Sequence, residues 1–279
     1  VYDTIHGHLE EMTMPSNNPA FKGFGAAGNG QQAAPWGAQP QYGAPTQDPY
    51  AAPTPYAATT TRYLTMDDVV TKTGLSFLVT VLAAAAVWAA PGDAAWGLAL
   101  PAVLVAFVLG LVISFKQIAN PIATLSYGAL YGVALGAISE AFNTIYPGIV
   151  MQALIGTFGV FGGMLVVYKT GAVRVTPKLT RWVFGALIGA LVLMVANFFA
   201  YFFMDDGLGI RSDGPLGIIF SVVMIGIAAF LLLMDFDMAD EAIRRGAPAK
   251  FAWYIAFGLL VTVVWLYIEI LRLLSYLRE

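Results

Sequence analysis

Apolar and polar positions divide this chain into two regimes. From about residue 63 onward, long apolar runs alternate with short polar breaks. Seven runs, at residues 69–90, 96–115, 121–145, 149–168, 182–204, 216–234 and 251–274, each come near the ~20 residues that carry a helix across a bilayer. The breaks hold turn-forming residues: Pro91-Gly92-Asp93, Asn120-Pro121, Tyr146-Pro147-Gly148, Asp205-Asp206-Gly207 and Gly246-Ala247-Pro248. Thr65-Met66-Asp67-Asp68 leads into the first run as an N-cap with acids in the first turn. The pattern predicts an all-α integral membrane protein, a seven-transmembrane-helix bundle over residues 63–279.

Residues 1–62 differ in kind. Positions 17–56 are rich in Gly, Ala, Pro, Gln and Asn and show neither a helical nor a strand period. Such a segment buries too little apolar surface to offset its ordering entropy. It reads as a disordered tail, with a Pro- and Tyr-bearing docking tail as the alternative. Residues 1–11 precede the first methionines, Met12 and Met14, and an extension upstream of the natural start is one reading of them. No charged-then-apolar signal peptide opens the chain, so the first membrane helix is expected to direct insertion.

Composition strengthens the membrane assignment. The chain is 58% hydrophobic and 11% charged, with mean hydropathy +0.72, whereas a soluble domain carries about 25% charged residues. With no cysteine, disulfides, zinc–thiolate sites and cysteine nucleophiles are excluded. Both histidines, His6 and His8, lie in the tail, which argues against a Ser–His intramembrane protease. Gly207-Leu208-Gly209-Ile210 lacks the acid of an aspartyl intramembrane protease motif, and the seventh run has no lysine for retinal. No enzymatic activity is expected.

The net charge is −3, and the bases sit near helix ends, which points to topology rather than nucleic-acid binding. Arg62, Lys72, Lys116, Lys169, Arg174, Lys178, Arg181, Arg244, Arg245 and Lys250 cluster on one side, and the opposite loops carry only Arg211. The bias predicts a multi-pass protein of the cell membrane with a cytoplasmic N-terminus. Seven crossings then put the C-terminus outside; a re-entrant last segment with a cytoplasmic C-terminus is the alternative.

Glycines recur at spacings of three and four: Gly128, Gly132 and Gly136, then Gly156, Gly159, Gly162 and Gly163, then Gly185 and Gly189. Tight helix packing is expected there, ahead of a glycine-lined pore. The acids within or at the ends of apolar runs are candidate functional residues, because charge in hydrocarbon is costly. They are Asp235, Glu269, Glu140 and Asp237. Each also has a plain reading. Asp235 could end a helix in the interface, and Glu269 could pair with Arg272 one turn on. Glu140 could bond to Asn143, while Asp237, Asp240 and Glu241 could form a solvated face. The sharper reading brings two or more carboxylates together. Such a cluster cannot ionise fully and would bind protons or a hard cation such as Ca²⁺, making packing sensitive to pH.

These residues resemble a known family. Leu232-Leu233-Met234-Asp235-Phe236-Asp237, Leu266-Tyr267-Ile268-Glu269-Ile270-Leu271-Arg272 and Tyr131-Gly132-Val133-Ala134-Leu135-Gly136 are similar to segments of the Bax inhibitor-1, or transmembrane Bax inhibitor motif, family. The likeness spans roughly residues 66–277 and is greatest to bacterial, especially actinobacterial, members. The resemblance implies a seven-helix fold with the last helix central and the other six around it. It also implies a pH-sensitive Ca²⁺ leak governed by one acid on the sixth helix and one on the seventh, which fall on Asp235 and Glu269. The seventh-helix acid of the family is usually Asp, and the stretch between the two acids is longer here. A rise of ~1.5 Å per residue puts the two more than about 10 Å apart in depth, so they meet only if one helix is shifted or unwound. No arginine in the second or third run is placed to lock an acid; Lys116 is the nearest base.

The expected function is therefore a pH-sensitive calcium (cation) leak channel gated by protonation of intramembrane carboxylates. A non-transporting regulator that binds another membrane protein, such as a membrane protease, and a proton-coupled small-solute transporter are the alternatives. The implied partners are the lipid bilayer, Ca²⁺ or H⁺, and in the second reading another membrane protein. No cofactor is expected beyond Ca²⁺ as a permeant or bound ion.

Overall fold

The computed structural model describes residues 62–89, 94–204, 207–212 and 214–278; of the tail assigned to residues 1–62, residues 1–61 lie outside them. Seven helices follow one another: α1 (Met66–Trp88), α2 (Ala94–Lys116), α3 (Pro121–Ile145), α4 (Ile149–Thr170), α5 (Pro177–Ala200), α6 (Pro215–Arg244) and α7 (Ala252–Tyr276). Each is long and apolar enough to cross a membrane.

The helix starts follow local chemistry. Thr65 caps α1 in a capping box with Asp68. Asn120 and Thr176 cap α3 and α5, each followed by proline in the first turn, where its missing N–H costs nothing. Gly171 ends α4 in the left-handed region at φ 67°, a conformation glycine adopts without steric penalty. The largest departure from the sequence expectation is α6. It begins at Pro215 and runs through Met234 and the acids beyond it to Arg244. Polar residues end a hydropathic run without ending a helix, since Asp, Met, Ala and Glu remain compatible with helical backbone.

The seventh helix is the centre. It packs against α1, α3, α4 and α6, while α2 rests on α3 and α5 on α6. Of its membrane-length stretch 72% is buried, against 17% for α5. Thr124 Oγ1 of α3 donates to Trp253 O at 3.0 Å, and the Ser139 and Tyr267 hydroxyls share a bond at 2.7 Å. The central helix is continuous, and Arg278 beyond it donates to Pro147 O and Gln152 Oε1 of the α3–α4 region. Its C-terminal end thus lies opposite the N-terminus of α1, and α7 is not re-entrant.

At the end of the bundle where α1 begins, residues 62–64 pair with the α6–α7 connection. Leu64 N donates to Ala247 O at 2.8 Å and Ala249 N to Arg62 O at 2.8 Å. Lys72 donates to Ala249 O at 2.7 Å and pairs with buried Asp68 at 3.6 Å.

The glycine expectation holds for α3 and for Gly156 of α4, where an added Cβ would lie 3.2 Å from Ile270 Cγ2 of α7, and fails for the rest. A Cβ on Gly132 would collide with Thr80 O and lie 2.8 Å from Ala83 Cβ of α1; one on Gly136 would lie 2.5 Å from Ala84 O. On α4 and α5, Gly159, Gly162, Gly163, Gly185 and Gly189 have nothing within 4 Å. Spacing marks a smooth face, but only the opposing helix decides whether that face is used. Gly132→Ala is expected to destabilise the protein by about 1–3 kcal/mol through overpacking. Gly185→Ala should stay within about 0.5 kcal/mol. Thermal unfolding in detergent compares the two.

Candidate functional site

The membrane acids occupy separate places. Asp235 lies inside α6, nine residues before Arg244, or about 14 Å of helix. Its Oδ2 accepts a 2.7 Å bond from Thr262 Oγ1 of α7. Thr262 lies ten residues into the central helix, so the acid that hydropathy set at a helix end sits level with the middle of α7. Gly258 leaves room beside it: a Cβ there would lie 3.7 Å from Asp235 Oδ1. Thr262 Oγ1 also reaches Gly258 O, at 3.2 Å. The hydroxyl can therefore donate to the carboxylate or to the backbone one turn back.

Glu269 lies seven residues beyond Thr262 on α7, about 10 Å further along the bundle. It is 2% exposed. Its Oε1 receives Arg211 at 3.2 Å, Arg272 at 3.4 Å and Trp265 Nε1 at 3.4 Å. Its Oε2 is buried without a hydrogen bond. The i,i+3 pair with Arg272 expected from the sequence is present, but Arg211 is the closer base. Neither α6 nor α7 is unwound between the two acids, and they are held by different partners. The residue that faces Asp235 from α7 is Thr262, not Glu269.

Sequence reading missed Arg211 because it lies in a polar break, counted only as the lone base on its side. The α5–α6 connection brings it in. Gly207 and Gly209 have φ of 58° and 71°, which turn the chain tightly. Leu208 N donates to buried Asn197 Oδ1 at 2.9 Å, and Ile210 is buried. Arg211 then lies 5.6 Å over the Phe220 ring, and its carbonyl accepts from Tyr276 OH at 3.0 Å. An arginine held by aromatic, carboxylate and backbone groups suits a buried acid better than a flexible lysine would. Lys116, the base nearest by sequence, is exposed at the end of α2 and makes no ion pair among the described residues.

The remaining candidates are peripheral. Glu140 is half-buried on α3; Asn143, its expected partner, instead accepts from Gly148 N at 2.9 Å in the α3–α4 turn. Asp237 is half-buried on the last turns of α6. Asp240 and Glu241 pair with Arg244 at 3.6 and 3.0 Å, Glu241 also with Arg245 at 2.6 Å, and Tyr168 OH donates to Asp240 at 3.3 Å. These two form the solvated helix-end face that their composition suggests. Among the described residues no group of three or more His, Cys, Asp or Glu is placed to hold a metal ion.

Removing Arg211 leaves Glu269 with Arg272 and Trp265. Arg211→Gln is expected to cost about 1–3 kcal/mol, below the ~3–5 of a buried pair broken outright. Glu269→Gln should cost less in the Arg211→Gln background than in the wild type. A double-mutant cycle by thermal unfolding reads the coupling, expected at about 1 kcal/mol or more.

A search of curated proteins returned no match. The family model described as Bax inhibitor 1 like matches residues 18–279. The match begins well upstream of residue 66, so it takes in much of the segment that the motif resemblance left aside. With seven membrane-length helices, the seventh of them central, and a family match over nearly the whole chain, this multi-pass membrane protein belongs to the Bax inhibitor-1 family.

Proposed function

We propose that this protein is a pH-sensitive Ca²⁺ leak channel in which Asp235 is the proton-sensing group. The reading rests on one observation: a carboxylate lies mid-bundle against the central helix, with a single hydroxyl, Thr262, as its hydrogen-bond donor. Among the described residues no base pairs with it, in contrast to Glu269, which Arg211 and Arg272 hold. An unneutralised carboxylate in hydrocarbon is a site for a proton or a hard cation. Family membership supports ion leak as the broad activity.

The geometry supplies a way to change charge without losing contact. Ionised Asp235 accepts from Thr262. Protonated Asp235 can donate to Thr262 Oγ1, whose own hydrogen turns to Gly258 O, already within 3.2 Å. The α6–α7 link persists in both forms, while the negative charge that would attract a cation comes and goes. Acidification thus alters ion attraction and leaves the bundle assembled. Glu269 is assigned a holding role, fixing the α5–α6 connection across the opposite end of α7. By the positive-inside rule, the end bearing Lys116, Lys169, Arg181 and Arg244 is assigned to the cytoplasm of a cell membrane, with the N-terminus.

Ca²⁺ uptake into vesicles containing the purified protein, followed from roughly pH 6 to 8, tests this reading. The wild type should show flux that varies with pH. Asp235→Asn, which keeps a donor toward Thr262 but carries no charge, should flatten the profile. Glu269→Gln should retain the pH dependence. Flux no greater than that of empty vesicles at every pH would falsify the channel reading.

A further inference from the structure

The wall of the bundle is open between α1 and α4 on the Trp88 side of Phe77, whose ring meets Phe161 of α4 edge-on with centroids 6.2 Å apart. Both helices flank α7, but they do not pack closely on each other. Behind the gap lies a cavity of about 220 Å³, walled by Phe77 and Ala84 of α1, Leu154 and Thr157 of α4, and Val263 and Tyr267 of α7. The hydroxyls at its wall are already bonded within the protein. Thr80 donates to Ser76 O at 2.9 Å, Thr157 to Ala153 O at 2.7 Å, and Ser139 and Tyr267 bond to each other. Water entering would find few polar partners, and a water needs two to four of them to stay. An empty apolar cavity in turn forfeits dispersion contacts along its whole lining.

The mouth of the cavity shows what fills it. Its rim residues Val81, Trp88 and Phe158 are exposed, on helices whose outer faces meet the bilayer. The cavity is therefore a continuation of the lipid-facing surface into the bundle. A transmembrane helix, about 10 Å across, is too thick for it. A single hydrocarbon chain is not. Trp88 sits at the far end of α1 from its N-terminus, where an indole belongs at the level of lipid headgroups; Phe77 lies three turns deeper.

We propose that the α1–α4 cleft seats one acyl chain of a bilayer phospholipid, entering beside Trp88 and running toward Phe77 against Val263 and Tyr267 of the central helix. The seat is independent of any ion conduction.

The full chain, reconstituted in phosphatidylcholine vesicles doped with a phosphatidylcholine bearing a diazirine on its acyl chain, is irradiated. Labelled residues are then mapped by peptide mass spectrometry. Val263, Val264 and Tyr267 are 7%, 5% and 6% exposed, so a chain reaches them only through the cleft. Label on 263, 264 and 267 should exceed severalfold that on Leu259 and Leu266, which are also buried on α7, at 3% and 0% exposed, but do not line the cavity. Ala85→Phe on the rim and Leu154→Trp on the opposite wall should each lower it severalfold. Label on the exposed α5 residues Ile188 and Leu191 should stay unchanged, which also reports that the variants remain folded. Label on the cleft residues no higher than on Leu259 and Leu266 overturns the proposal, and so does label that neither substitution lowers in a folded protein. If a variant unfolds, the wild-type comparison alone decides. Cleft residues that stay unlabelled in a preparation that retains a co-purified membrane protein would assign the cleft to a protein partner and equally overturn the proposal.

Discussion

Four helices share one neighbour, and that shared helix is what the rest of the structure depends on. In hydrocarbon, apolar side chains gain nothing by leaving lipid for protein, so helices associate through close packing and hydrogen bonds. The contacts of α7 follow that rule. Thr124, Ser139 and Asp235 tie it to α3 and α6 through Trp253 O, Tyr267 and Thr262, and Gly156 of α4 lets Ile270 approach. Removing α7 would leave α1 and α3 paired through their glycine contact but would leave α4 and α6 with little else to hold them to that pair.

The same medium governs the charges. Each ionisable group drawn into the bundle must find a donor, a counter-charge or a proton. Glu269 finds arginines, one from its own helix and one from a connection outside the membrane-length helices. Among the described residues Asp235 finds a hydroxyl, that of Thr262. That difference separates two acids that look alike in sequence, and the proposed function starts from it.

The lateral opening between α1 and α4 belongs to the same account. A seven-helix bundle built around one helix cannot close every wall equally: α1 is committed to α3 and α7, and α4 to α6 and α7. The gap between them faces lipid, where an apolar opening carries no penalty once a hydrocarbon chain enters it.

Much of the fold was legible from residues alone. Seven membrane-length runs, the Thr65 cap, the proline-led starts of α3 and α5 and the glycine contact of α3 all follow from local chemistry and hydropathy. The motif in Leu232–Asp237 and the segment around Glu269 pointed to the family that the match over residues 18–279 establishes. What hydropathy could not show was which helix is central, because lipid and protein interior are equally apolar and α7, at a mean hydropathy of 2.1, falls in the middle of the seven. Nor could the sequence pair the acids. The apolar run stops at Met234, ten residues short of the end of α6, and Arg211 stood in a break with nothing to mark its inward turn. The sequence by itself determined which segments enter the membrane and which charges enter with them. Only the tertiary structure decided what each charge meets there, because side chains on different helices are brought face to face by packing, and neighbours along the chain carry no record of it.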